Sequence, residues 1–204
     1  MGISVSLISP RSFYKRAFSL IEAAIVLGVV GLVIGGIWVG AAAISERHQI
    51  TRQSTAILQI VAGARQLFPA ENYPSVDHTF TWTTPAMVSA GLISSEFPLL
   101  DGCCYVPTVF GNGSKLGAGL WRDDSNLGVG GRGIDVTVTN LTLSQCIKLS
   151  SAIGGAATND GMAYLAIGSA SYIRSFPASF STISSNCTAQ LSGGYVDVVF
   201  MFRG

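Results

Sequence analysis

Between Ala23 and Ile44 the chain runs for 22 residues without a charged or hydroxyl side chain, AAIVLGVVGLVIGGIWVGAAAI, and no other feature limits its folding as strongly. As a helix rising 1.5 Å per residue this run spans about 33 Å, the thickness of a bilayer's hydrocarbon core. A buried helix of a soluble protein normally keeps a polar stripe, which is missing here. A secretory signal is the closer rival, because Ala41-Ala42-Ala43 spells a small-residue cleavage site. The apolar region of such a signal is about 7–15 residues, and this one is longer. The two readings predict different mature N-termini, and we expect the membrane-spanning one.

The rest of the composition bounds the classes left open. A chain of 204 residues has room for one domain with an appended segment. With 49% hydrophobic and 11% charged residues it is too apolar to be disordered. The formal charge is +1 and no basic run exceeds Lys15-Arg16, so direct nucleic-acid binding is not expected. Its 24 glycines follow no Gly-X-Y period, which excludes collagen and suggests a loop-rich body. His48 and His78 are the only histidines and lie without a convincing Cys or Asp set, so no metal site, cofactor or catalytic triad is expected.

Glu22 stands at the edge of the apolar run. A carboxylate in hydrocarbon costs about 3 kcal/mol at a helix centre, and such a residue calls for a partner. Its place near a helix N-terminus, where the dipole favours an acid, would by itself make it ordinary. What precedes it is more specific: an acid-free leader of 17 residues ending Lys15-Arg16-Ala17, followed at once by Phe18-Ser19-Leu20-Ile21-Glu22.

This arrangement, from Lys15 to Ala43, resembles the prepilin signature of type IV pilins. The resemblance implies that a prepilin peptidase cuts between Ala17 and Phe18 and methylates the new amine of Phe18. Ala17 departs from the family's usual Gly before the cut. Glu22 would then be the fifth mature residue. The exposed amine, in an apolar setting, finds a carboxylate one helical turn away on its own or a neighbouring chain, and a paired charge is tolerable where an isolated one is not. The family implies that this pairing docks each new subunit and sets its axial register. The long leader, the absence of Pro in the apolar helix, and 187 residues after the leader resemble class b pilins such as toxin-coregulated, bundle-forming and conjugative thin-pilus subunits, whereas a first-residue Phe is commoner in class a. Glycines at 28, 31, 35, 36 and 40 would let helices approach closely, at up to about 1 kcal/mol each in helix propensity.

The expected architecture is α+β, the type IV pilin fold: a long N-terminal helix packed on an antiparallel sheet. Residues 1–17 form the leader. Residues 18–68 form the helix, with a membrane or filament-core half over 18–44 and an amphipathic half over 45–68. Residues 69–204 form the exported body. In the amphipathic half Ile50, Ser54, Ile57, Val61, Ala64 and Phe68 recur at steps of three and four, with Leu58 and Leu67 widening the face and Arg52 and Arg65 off it. Pro69 stops the helix. Asn72-Tyr73-Pro74 reads as a turn, and the spacing predicts a short helix over 84–95 with Pro85 in its first turn and Gly91 near its end. Eight glycines over 111–133 predict a flexible or tightly turning surface loop. Ile134 to Thr139 alternates as a half-buried strand. Thr142-x-x-Gln145 is a capping box opening a helix through about Ala152. Tyr195 to Phe202 is a terminal strand.

Four cysteines, at 103, 104, 146 and 187, permit three full pairings in an oxidising compartment. A trans peptide would hold the Cα atoms of Cys103 and Cys104 about 3.8 Å apart, so a bond between them would be strained. The resemblance implies one C-terminal bridge, Cys146–Cys187, whose first Cys lies on a helix. Its loop of about 40 residues would contribute about 3–4 kcal/mol in the chain-entropy picture. Cys103 and Cys104 exceed the family pattern, and a structural, redox or intermolecular role is open for them. Gly128-x-Gly130-x-x-Gly133 spells a dinucleotide fingerprint but leads into a strand rather than a helix. Asp123-Asp124-Ser125-Asn126 lacks a cation-loop spacing and reads as a solvated turn. The acceptor sequons at Asn112, Asn140 and Asn186 carry little weight in a bacterial-looking export substrate.

The expected function is structural: a subunit, most simply the major pilin, of a bacterial type IVb pilus. No catalytic residues are expected. The chain would sit in the inner membrane before assembly and in an extracellular pilus after it. Its partners would be further copies of itself, the prepilin peptidase, the inner-membrane assembly machinery, and a host-cell or recipient-cell surface met in adhesion, aggregation or conjugation. Without Arg11, Lys15 and Arg16 of the leader, nine basic residues face eleven acidic ones, a balance of −2 before the N-terminal amine. A type II secretion pseudopilin shares the N-terminal signature, but the C-terminal cysteines and large body speak against it. A membrane-anchored periplasmic thiol enzyme using Cys103 and Cys104 is the alternative from another class.

Overall fold

The computed structural model describes residues 19–68, 80–93, 99–100, 104–124 and 129–204. The leader, Phe18, Pro69, the Asn72-Tyr73-Pro74 turn, His78, Cys103, Ser125 and Asn126 lie outside these. The chain divides into two compact units, Met1–Ile44 and Ser45–Gly204, and helix α1 (Leu20–Leu67) contributes to both.

In the first unit the described residues are helical from Leu20 onward. Ser19 starts the helix: its Oγ accepts from the Ile21 N–H at 3.3 Å, and its carbonyl accepts from Glu22 and Ala23. This is the usual work of a Ser at a helix N-terminus, where backbone donors have no partner within the helix. From Leu20 to Trp38 the helix is long and apolar enough to cross a membrane, and none of it is buried.

The second unit is built on one six-stranded sheet of order β1-β2-β3-β6-β4-β5, every neighbouring pair antiparallel. Its strands are β1 (Val106–Pro107), β2 (Lys115–Asp124), β3 (Val129–Leu141), β4 (Met162–Ile167), β5 (Ser171–Ile173) and β6 (Val196–Arg203). The last strand therefore lies between β3 and β4, in the middle of the sheet. Helices α3 (Leu143–Gly154) and α4 (Phe180–Ala189) stand in the connections around it. One face carries the main core, in which Ile57, Ile60, Val61 and Ala64 of α1 and Leu149 and Ile153 of α3 join Val136, Phe200 and Leu165 of the sheet.

The helical stripe is centred where the sequence places it, but its edges differ. Leu58 and Leu67 are 50% and 53% exposed, while Gln53 and Ile60 take the inner positions. Gln53 is tolerated inside because its Oε1 accepts the Val109 N–H at 3.3 Å, which answers the desolvated polar group. The capping box is formed as read: Thr142 Oγ1 accepts from Gln145 N, and Gln145 Oε1 accepts from Thr142 N at 2.9 Å.

Three local expectations need correction. The helix expected over 84–95 is α2 (Phe80–Ser89), with Pro85 in its interior. Thr84, beside it, ties this helix to the sheet, since its buried hydroxyl donates to the Ala118 carbonyl and accepts the Ala118 N–H, both at 3.2 Å. It thereby closes the edge of β2 beyond the two-residue β1, an edge that would otherwise offer unpaired groups. Gly91 at φ +75° ends the helix early, with Leu92 N bonded to Met87 O and Gly91 N to Val88 O, a left-handed Schellman close.

The glycine-rich stretch is largely two long paired strands, β2 and β3. Leu116, Ala118 and Leu120 alternate into the core, and the missing side chain at Gly117 makes room for the Tyr105 ring, which a Cβ there would meet at 2.9 Å. Within the segment 134–139, residues 134–138 are buried on both faces rather than one, Asp135 and Thr137 included.

Two bulges shape the face opposite the main core. In β4, Met162 pairs with Phe202 and Tyr164 with Met201, so Ala163 is extra. The added residue keeps Met162 in the main core and sends both Ala163 and Tyr164 to the second cluster with Ala166 and Met201. In β3, Val138 pairs with Val198 and Leu141 with Val196, so Thr139 and Asn140 stand opposite Asp197 alone. Asn140 takes φ 59°, a left-handed conformation Asn accepts more readily than most residues, and its N–H donates to Asp197 Oδ1 at 2.9 Å.

Candidate functional site

The apolar helix of the first unit is the first candidate. Its side chains meet solvent throughout, from Leu20 at 91% exposure to Trp38 at 74%. Glu22 is exposed in its first turn. A Cβ added at Gly28, Gly31, Gly35, Gly36 or Gly40 would meet nothing within 4 Å, so packing within the described chain does not require those glycines. Phe18, the residue that would present the new amine, is outside the described residues, so the Phe18–Glu22 pairing is not on view.

The body is held together by contacts that the sequence only partly announces. Cys146 on α3 and Cys187 on α4 are bonded with their Cα atoms 6.1 Å apart, and both are fully buried. Cys104 is also disulfide-bonded. Glu46 of α1 accepts from Ser144 Oγ at 2.7 Å and forms an ion pair with Lys148, which ties α1 to α3. The bond from Lys148, then the one from Ser144, holds the Glu46 carboxyl below its ordinary value. Arg65 donates through Nε to the Arg203 carbonyl at 3.0 Å, and its Nη2 reaches the carbonyls of Arg203 and Gly161. Its guanidinium thus ties α1 to the end of the central strand. The separation of these pairs along the chain hides them from any reading of local pattern.

A groove of about 980 Å³ lies on the outer sheet face, bordered by the segment after α4 and the β4–β5 turn. Asp135, Thr137, Tyr164, Tyr172, Tyr195 and Asp197 are among its lining residues. The rings of Tyr164 and Tyr172 meet edge to face at 5.7 Å between centroids. Burial pushes the Asp135 carboxyl up to about 7, against the opposing pull of the backbone N–H groups of Asp135 and Gly119. Sequence reasoning missed this site. Asp135 reads as the solvent side of an alternating strand, and the signal against that reading is the doubly apolar character of MAYLAI and VDVVFMFR, which leaves little polar face for the sheet they join.

Of the other residues weighed from sequence, the described ones are placed apart. His48 is exposed on α1, Asp123 and Asp124 end β2, and the glycine fingerprint runs into β3. Among the described residues no cluster of His, Cys, Asp or Glu could hold a metal ion.

A long apolar N-terminal helix together with an antiparallel sheet, its C-terminal strand central and its last two helices joined by a disulfide, is the type IV pilin fold. The crystal structure of a type IV b pilin from Salmonella typhi matches the chain with a TM-score of 0.57 at 15% sequence identity, over 77% of this chain and 99% of that one. The crystal structure of TcpA, a type IV pilin from Vibrio cholerae El Tor biotype, matches with a TM-score of 0.49 at 14% identity, over 76% and 98%. No protein-family model and no curated protein sequence matches the chain. At such identity the likeness to the Salmonella protein establishes the fold. That fold is the one the sequence reading expects, and here it rests on likeness of backbone structure over 77% of the chain.

Proposed function

We propose that the chain is the structural subunit of a bacterial type IVb pilus, polymerising through its N-terminal helix. The observation that carries this reading is an apolar helix from Leu20 to Trp38, none of it buried and charged only at Glu22, on a chain whose body has the pilin fold. Burying that much apolar surface at about 25 cal/mol per Å² is a large driving force, and nothing in the described chain supplies the burial. A membrane supplies it before assembly, and the helices of other copies supply it afterwards. The packing-free glycines fit the second environment, where small residues permit close helix approach.

In this reading a prepilin peptidase removes residues 1–17 by cutting between Ala17 and Phe18, and the amine of Phe18 is N-methylated. Residues 18–44 enter the filament core, residues 45–68 hold the body, and residues 69–204 form the outer surface. Glu22 neutralises the amine of Phe18 on its own or a neighbouring subunit. The inner membrane is the site before assembly and the extracellular pilus the site after it, with the assembly machinery, sister subunits and a host or recipient cell as partners. The disulfide state of Cys104 fits a structural role of that residue in the exported body.

Mass spectrometry and N-terminal sequencing of the mature chain test the reading directly. The expected product begins at N-methylated Phe18 and is recovered from sheared fibres. A mature chain beginning after Ala43, released as a monomer, would refute it.

A further inference from the structure

The groove on the outer sheet face carries an inference that does not depend on whether the chain polymerises. Asp135 sits mid-strand between Gly119 of β2 and Met201 of β6. It is 2% exposed and lines the groove, and its Oδ1 has no hydrogen-bond partner among the described residues. A buried acceptor left unanswered is costly, and because Asp135 lies in the wall of a groove, a donor entering that groove and displacing its wall would answer it.

The rest of the lining says which donor. Three tyrosine rings and a second carboxylate, Asp197, share the groove, and no Lys, Arg or His is among its described lining residues. The field of the two acids reaches beyond the groove: the phenol of Tyr105 is pushed up first by burial and then by Asp197 and Asp135, with Lys115 opposing. Acceptors and electron-rich ring faces without a cation repel anions and favour a positively charged guest. The two bulges strengthen the case, because one turns Tyr164 onto this face and the other sets Asn140 against Asp197 at the same groove.

We propose that this groove is a binding site for an organic cation, a primary ammonium or guanidinium group whose N–H donors reach Asp135 and whose charge lies against Tyr164, Tyr172 and Tyr195. Asp135 supplies the directional contact, and Asp197 supplies longer-range attraction at the more exposed end. A cation seated there also relieves the cost of ionising Asp135, so binding and deprotonation favour each other.

The test uses the full chain in a non-ionic detergent, with carbon-13-labelled tyrosines followed by NMR. The expected result is saturable shifts of Tyr164, Tyr172 and Tyr195 on adding n-butylguanidinium or n-butylammonium. Binding of n-butylurea, the neutral isostere of the guanidinium probe, should be at least tenfold weaker. Asp135→Asn should weaken cation binding at least tenfold while melting at the same temperature or higher, which separates loss of the site from loss of the fold. Asp197→Asn should weaken it by a smaller factor. Comparing spermidine with N-acetyl-arginine amide tells a free polyamine from a side chain presented by a protein. Absence of shifts with either cation, equal binding of n-butylurea, or undiminished binding by the Asp135→Asn chain would each overturn the proposal.

Discussion

Residues 20–44 and 45–67 belong to one helix with no proline in it, yet they obey different rules. The second half has one buried face, made by Ile50, Ile57, Ile60, Val61 and Ala64, and a polar remainder that carries Arg52 and Arg65. The first half is apolar beyond Glu22 and has no polar stripe, and from Leu20 to Trp38 none of it is buried. Amphipathicity is the mark of a helix that has found its partner within the chain, and uniform hydrophobicity is the mark of one whose partner lies elsewhere. The contrast locates folding stability in one half and, in our proposal, assembly in the other.

That division can be broken experimentally. The largest expected effect is on assembly: Glu22→Ala should leave membrane insertion and cleavage largely intact while reducing sheared fibres at least tenfold, as read by immunoblot and electron microscopy. Abundant normal fibres would remove the role given to Glu22. For stability the contrast reverses. Ile57→Ala should cost about 4 kcal/mol as a buried cavity forms, whereas Val29→Ala should leave the thermal melting of the detergent-solubilised chain unchanged. Equal effects from the two substitutions would merge the halves into one structural unit.

The disulfide sharpens the same boundary, since it lies wholly in the body. Cys187→Ser should lower stability by about 3–4 kcal/mol, measured by denaturant melting, and should reduce piliation through the body rather than the helix. Unchanged melting would show that α3 and α4 hold together by packing alone.

Asp135 gives a pH dependence of opposite sign to the usual carboxylate. An unfolded Asp ionises near 3.8, while the buried one holds its proton to about 7. Between those values the folded chain keeps a proton the unfolded chain has lost, so stability falls as pH rises and levels off above about 7. Asp135→Asn should match the wild type at pH 4 and exceed it at pH 8 by on the order of 2 kcal/mol, below the ceiling of about 4 kcal/mol that such a displacement sets.

The smallest effect belongs to Glu46. Its carboxyl is held low by Lys148 and Ser144, so its contribution is present above the ordinary carboxylate value and is lost as pH falls through the lowered one. The contact is largely exposed, and Glu46→Gln should cost less than about 1 kcal/mol at neutral pH, with the difference vanishing in acid.

The parts legible in the sequence are those encoded by neighbours along the chain. The apolar run announced itself by length, the stripe from Ile50 to Ala64 by period, α3 by its Thr142–Gln145 box, and β6 by its apolar run. The misreadings have the opposite character. Glycine density at 111–133 looked like a loop because the ring that fills the space over Gly117 comes from Tyr105, outside the pattern. Leu58 and Leu67 looked like core because hydrophobicity does not say how wide the covering sheet is. Pro85 looked like a helix start because proline suits a first turn, whereas the contact that anchors α2, the Thr84 hydroxyl bridging Ala118, spans 34 residues.

By itself the sequence determined that this chain carries a membrane-length helix with a single acid at its entrance, that an α+β body follows, and that the helix changes from all-apolar to amphipathic near Ser45. These are statements about periodicity and local chemistry, which the backbone obeys wherever the chain is placed. Only the tertiary structure decided that the C-terminal strand lies at the centre of the sheet, that Arg65 clasps its end, and that two bulges and a buried Asp135 open a groove on the far face. Those depend on which strand pairs with which and in what register, and a single extra residue in a ladder is enough to move a tyrosine from one side of the sheet to the other.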